Sequence, residues 1–174
     1  MEWKDVLSSR LSAALDAVDR LLACVSDGDL GWKPSSGDNW MTVGQLLEHL
    51  VTINGMTFQG FITGDWPTPE GMTAEELENM SMEEMLPPAE RMPTADSVEE
   101  ARTKLAADRA QALAALEQLA ESQVAEPAPA GWDPTPMPLA ERLVTLLEHL
   151  DTHKAQLFYY LKLQGHPLGT MDLY

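Results

Sequence analysis

Four stretches of this chain place apolar residues at spacings of three and four, and none alternates with the two-residue period of a half-buried strand. That pattern confines the fold to packed helices, because an apolar stripe on a helix needs a partner to cover it. In the first stretch, about Asp5 to Ser26, the stripe is Leu7, Leu11, Ala14, Leu15, Val18, Leu21, Leu22 and Val25, and Asp27-Gly28-Asp29 ends it. The second starts at Thr42, where Thr42-Val43-Gly44-Gln45 fits a capping box. Val43, Leu46, Leu47, Leu50 and Ile53 form its apolar face; Gly55, Gly60 and Gly64 weaken it and Pro67 stops it. The third opens with a second capping box, Ser97-Val98-Glu99-Glu100, and runs to about Gln123. The fourth starts near Pro138, a suitable first-turn residue, and stops at Gly165 and Pro167.

Two connections between these stretches are rich in proline. Residues 67 to 96 hold Pro67, Pro69, Pro87, Pro88 and Pro93 with five methionines and many acids, and read as a long surface connection in which Thr73–Glu76 and Ser81–Glu84 could each cap a short turn. Glu126 to Pro138 is the second. Four long helices with long connections predict an all-α fold, a four-helix bundle with at least one crossover, as a single domain over residues 1–174.

Charge narrows the class of partner. Eleven Lys+Arg against 28 Asp+Glu give a formal charge of -17, a surface that repels phosphate backbones and anionic membranes. No apolar run approaches the roughly 20 residues that span a bilayer, and the N-terminus leads straight into an amphipathic pattern, so the expectation is a soluble, cytoplasmic protein. The single cysteine, Cys24, sits among apolar residues and reads as a small core residue.

Of four histidines, three fall on apolar faces. His149 and His153 are four apart on the fourth helix, separated by roughly 6 Å of axial rise, among Leu146, Leu150 and Leu157. His49 sits between Leu46, Leu50 and Ile53 of the second helix. Three inward imidazoles can share one divalent cation, which offsets the cost of burying them and leaves coordination positions open. Spacing alone is equally met by core or surface histidines with ordinary hydrogen-bond partners. His166, after Gly165, reads as a non-ligand.

Other polar residues near these faces carry two readings each. Glu48 and Glu148, one position before a histidine, could accept a hydrogen bond from a neighbouring ring or pair with another helix; the second is commoner for a charged group. Asp151 reads as exposed. Gln156 and Tyr160 flank the inner face beyond His153, with Tyr160 either meeting a substrate or filling core. Arg109 could anchor an anion or make a surface ion pair.

The segments Trp40-Met41-Thr42-Val43-Gly44-Gln45-Leu46-Leu47-Glu48-His49-Leu50 and His149-Leu150-Asp151-Thr152-His153-Lys154-Ala155-Gln156-Leu157 resemble the second- and fourth-helix motifs of the DinB/YfiT-like metalloenzymes. Leu30-Gly31-Trp32-Lys33-Pro34 and the ending Tyr159-Tyr160-Leu161-Lys162 with Gly165 and Asp172-Leu173-Tyr174 are similar to that family as well. The resemblance implies a four-helix bundle with a right-handed crossover, a homodimer, and a divalent metal, zinc or nickel or else iron, on His49, His149 and His153. It also implies a small-molecule substrate and chemistry such as transfer or isomerisation dependent on a low-molecular-weight thiol. The alternative is a non-catalytic metal- or ligand-binding helical dimer with a stress-associated role. The acidic, methionine-rich connection from Gly64 to Thr94 departs from the family pattern, and the resemblance carries over no substrate residue.

Overall fold

The computed structural model of the chain describes residues 2–66, 73, 80–85, 87–129, 135 and 137–174. Helix α1, Trp3–Leu22, begins two residues before the expected start, where the Asp5 carboxylate accepts from the Glu2 N–H. It stops at Leu22 rather than Ser26. The chain then tightens, Cys24 and Val25 donating to the carbonyls of Leu21 and Leu22, and Val25 still reaches the core.

The expected second helix is two helices, α2 over Val43–Leu50 and α3 over Ile53–Thr63. The Thr42–Gln45 capping box forms, with Gln45 N–H on Thr42 Oγ1 at 3.2 Å and Thr42 N–H on Gln45 Oε1 at 2.9 Å. At the break, Val51 and Thr52, side chains bond to carbonyls at the end of α2. Thr52 Oγ1 donates to the Glu48 carbonyl, and Asn54 Nδ2 to that of Leu50. From another helix, the Asp108 carboxylate accepts from the Gly55 N–H at 2.7 Å and from Asn54 Nδ2 at 3.0 Å, capping the start of α3.

The glycines of α3 allow close packing rather than unravelling. A Cβ on Gly55 would lie 2.7 Å from Gln111 Oε1 and 3.0 Å from the Asp108 carbonyl. Gly64, at φ 76°, ends the helix in a left-handed turn that suits glycine. Pro67, the expected stop, lies outside the described residues.

Helix α4, Val98–Leu116, is capped by Ser97 Oγ, which accepts from the Glu100 N–H. Glu100 reaches past Ser97 to the N–H of Asp96, so the expected capping box closes one residue further out. The helix ends well before Gln123, because Gln118 and Leu119 bond three residues back and Gln123 Oε1 caps the Ala120 N–H. Leu119 stays buried, which is why the apolar stripe runs on past the end of the helix. Helix α5, Leu139–Leu163, starts and stops as expected, with Gly165 at φ 92° beyond its end.

Of the two short turns expected in the long connection, Ser81–Glu84 forms. Ser81 N–H and Oγ both donate to the Glu84 carboxylate, and the turn Met82–Met85 follows. Ala74 to Glu76, the body of the other, lie outside the described residues.

No strand forms among the described residues; an isolated antiparallel bridge joins Pro127 and Pro138. α1 packs on α4 and α5, and the α2–α3 unit packs on the same two helices. The fold is therefore all-α, with one core in which Leu11, Leu15, Leu46, Leu47, Phe58, Leu116, Leu143 and Leu157 are fully buried. Each such side chain contributes about 1.5–3 kcal/mol through apolar burial. No helix among the described residues is long and apolar enough to cross a membrane.

Candidate metal centre

α2 and α5 face each other, and this contact brings the histidines together. His49 lies in the last turn of α2, next to the break, where the carbonyl end of a helix favours positive charge. His149 and His153 stand one turn apart on α5. The ring centroids are 5.0 Å apart for His49 and His149, 4.7 Å for His49 and His153, and 4.5 Å for His149 and His153. One nitrogen from each ring lies within 4.8 Å of the other two. Three nitrogens that each sit about 2.1 Å from one ion stand roughly 3–3.5 Å apart, so small ring movements complete a site.

Burial pushes His49 down to about 4 from an ordinary 6.5, with His153 and then His149 adding repulsion. His149 is lowered as well, first because its ring is desolvated against the other two although the residue keeps an exposed face, and then by His153. Neutral rings keep the lone pairs that a metal needs. His149 is exposed while His49 and His153 are half-buried, so the cluster opens to solvent on one side. No carboxylate or thiol joins it among the described residues.

Behind His153 runs a chain of hydrogen bonds whose links sequence reasoning missed. His153 Nδ1 meets Gln156 Oε1 at 2.9 Å. Gln156 Nε2 donates to Tyr160 Oη at 2.9 Å, and Tyr160 Oη donates to the Met41 carbonyl at 3.2 Å. Tyr160 is buried, edge-on to Trp32 at 5.2 Å and to Trp40 at 6.3 Å. The spacing of three and then four residues from His153 was the available signal. With its Nδ1 engaged, His153 has Nε2 left to ligate, and a donor set of three neutral imidazoles suits zinc, nickel or iron.

The remaining candidates fall outside the cluster. Glu48 pairs with Lys104 of α4, both carboxylate oxygens at 2.8 Å from Nζ, so it joins helices instead of backing a histidine. Glu148 is exposed, and exposed Asp151 pairs with buried Lys154. Arg109 pairs with Asp16 of α1. His166 is not part of the cluster and lies near Asp29. Cys24 is half-buried against the core, its thiol toward the Arg20 carbonyl.

The long connection returns to the start of α2. The Ala89 N–H donates to Asn39 Oδ1 at 2.8 Å, and Gln45 Nε2 donates to the carbonyls of Ala89 and Met92 at 2.6 and 3.1 Å. Gln45 precedes His49 by one turn, so this segment is fixed to the first turn of the helix that carries His49.

A family model described as the DinB superfamily matches residues 10–157, a span that contains all three histidines. No curated protein matches the chain. Among solved structures, the crystal structure of a conserved protein from Enterococcus faecalis is similar, with a TM-score of 0.63 at 18% identity, covering 94% of this chain and 97% of that one. At that identity the likeness concerns the fold.

Proposed function

Because the chain belongs to the DinB superfamily, we propose that it is a divalent-metal-dependent enzyme that activates a low-molecular-weight thiol, or water, toward a small electrophile. The convergence of His49, His149 and His153 carries this reading. Zinc or nickel, or else iron, suits three imidazoles. Such an ion, when bound, supplies Lewis acidity that eases deprotonation of a thiol or water beside it.

The chain's own residues do the rest. Half-buried His49 and His153 fix two corners of the site, and exposed His149 stands on the side from which a substrate approaches. Three protein ligands with no fourth among the described residues leave coordination positions open, the arrangement of reactive sites and not of structural ones. Gln45 and Asn39 pin the Ala89–Met92 segment to the start of α2, the helix that carries His49.

Elemental analysis of protein purified without a histidine tag, beside His149→Ala, tests the metal. Titration of the cobalt-loaded protein with a small thiol then tests the open positions. About one equivalent of metal lost in the variant, with a thiol-dependent visible spectrum, supports the reading. One equivalent with no thiol response favours a non-catalytic metal-binding protein. No uptake of any of these ions overturns both.

A further inference from the structure

The hydrogen-bond chain behind His153 has a direction, and that direction selects which ring nitrogen of His153 bears the proton. Its far end is the Met41 carbonyl, which can only accept. Tyr160 spends its one hydroxyl proton there, so Tyr160 Oη must accept from Gln156 Nε2. The amide therefore turns its oxygen to His153 Nδ1. An oxygen at that position requires a proton on Nδ1, and the neutral ring then carries its lone pair on Nε2.

The reversed chain is worse. Tyr160 would donate to Gln156 Oε1, the Met41 carbonyl would lose this donor, and the amide nitrogen would donate to Nδ1. The proton would then sit on Nε2, where it blocks ligation. Tyr160 is fully packed and held by Trp32, so the hydroxyl cannot swing away to another partner at little cost.

We propose that Gln156 and Tyr160 are positioning residues that hold His153 in the Nδ1–H form, with Nε2 presented to the metal, on instruction from the Met41 backbone carbonyl. The proposal rests on the metal-site reading for its consequence, but the proton position exists in the metal-free protein and is measured there. Gln156→Leu deletes the acceptor, Tyr160→Phe deletes the hydroxyl that orients the amide, and Gln156→Glu keeps an acceptor oxygen at Nδ1.

The experiment reads the ring nitrogens of His153 by 15N NMR in zinc-free protein, and zinc affinity by competition with a chromophoric chelator. The wild type is expected to show a protonated Nδ1 and a bare Nε2. Gln156→Leu and Tyr160→Phe are expected to shift His153 toward the Nε2–H form and weaken zinc about 10- to 100-fold, as loss of such outer partners does. Gln156→Glu, which gives up the bond to Tyr160 but keeps an acceptor at Nδ1, is expected to retain the Nδ1–H form and to bind zinc at least as tightly as the wild type. Where Gln156→Leu fails to fold, Tyr160→Phe and Gln156→Glu decide the matter between them. An Nε2–H wild type, or an unchanged tautomer in the folded variants, overturns the proposal even if zinc binds. A wild type that takes up no zinc, yet shows the Nδ1–H form and loses it in Tyr160→Phe, overturns the metal reading and leaves the positioning role standing.

Discussion

His49 Nε2 and His149 Nε2 stand 2.8 Å apart across the α2–α5 contact. At that distance a single proton lies between the two rings, one donating and the other accepting. Two charged rings cannot occupy the gap, and two Nε2–H groups cannot either. An ion bound there replaces this shared proton.

On the metal-site reading proposed above, that exchange should make stability depend on metal. Free zinc at 100 times its dissociation constant stabilises the folded form by about 2.7 kcal/mol. For a chain of 174 residues this corresponds to a melting shift of roughly 5–10 °C. Thermal melts with zinc and with a chelator should show that difference in the wild type and none in His149→Ala. Equal melting temperatures for the wild type under both conditions would count against a built site.

Acid should weaken the metal-free protein over a definite window. His49 is held near 4 against an ordinary 6.5, by burial first and by its two histidine neighbours next. As pH falls through 6.5 the unfolded ring takes a proton that the folded ring refuses until about 4. Stability contributed by neutral His49 is thus fully present above 6.5 and is lost as pH falls toward about 4. His149 is lowered too and acts in the same direction. One group contributes a slope of up to about 1.4 kcal/mol per pH unit. Urea midpoints across this window should fall steeply in the wild type and more gently in His49→Gln; parallel profiles would refute the assignment.

Asp108 should matter to the fold far more than its distance from the histidines suggests. Its buried carboxylate holds both the Asn54 amide and the Gly55 N–H at the start of α3. Burial raises its pKa, against the pull of these donors. Asp108→Ala strands both donors and should cost about 2–4 kcal/mol in urea denaturation. Asp108→Asn keeps the shape but one acceptor fewer, and should cost about half as much. A loss under about 0.5 kcal/mol for the alanine variant would show that water replaces the carboxylate.

The same residue explains where sequence reading reached its limit. Val51 and Ile53 continue the apolar pattern of α2, so nothing local announces a break there; the group that caps α3 is 54 residues from Asn54 along the chain. Leu119 likewise kept the stripe of α4 alive past its true end, because a turn delivers it to the same core. The helical faces were legible, since burial of a stripe leaves a period in the sequence. So were the three histidines, each flanked by leucines of those faces. The last link, from Tyr160 to Met41, was not, because it ends on a backbone carbonyl 119 residues from Tyr160, and a carbonyl leaves no mark in a sequence.

Glu48 offers the last test, because its neighbour in sequence is a candidate ligand while its partner in space is not. Lys104 sits between Glu48 and Glu100, and those two hydrogen bonds, Glu48 first, raise its pKa. A pair this close to solvent is worth about 0.5–1 kcal/mol. Lys104→Met and Glu48→Gln should each lower stability by no more than that, and the double variant should lose less than the sum of the two. Zinc affinity should stay within about twofold of wild type in both, since Glu48 tethers α2 to α4 and touches no histidine in the bonds it makes. A 10-fold weakening by Glu48→Gln, of the order seen for partners of a ligating histidine, with Lys104→Met silent, would instead make Glu48 a support for His49.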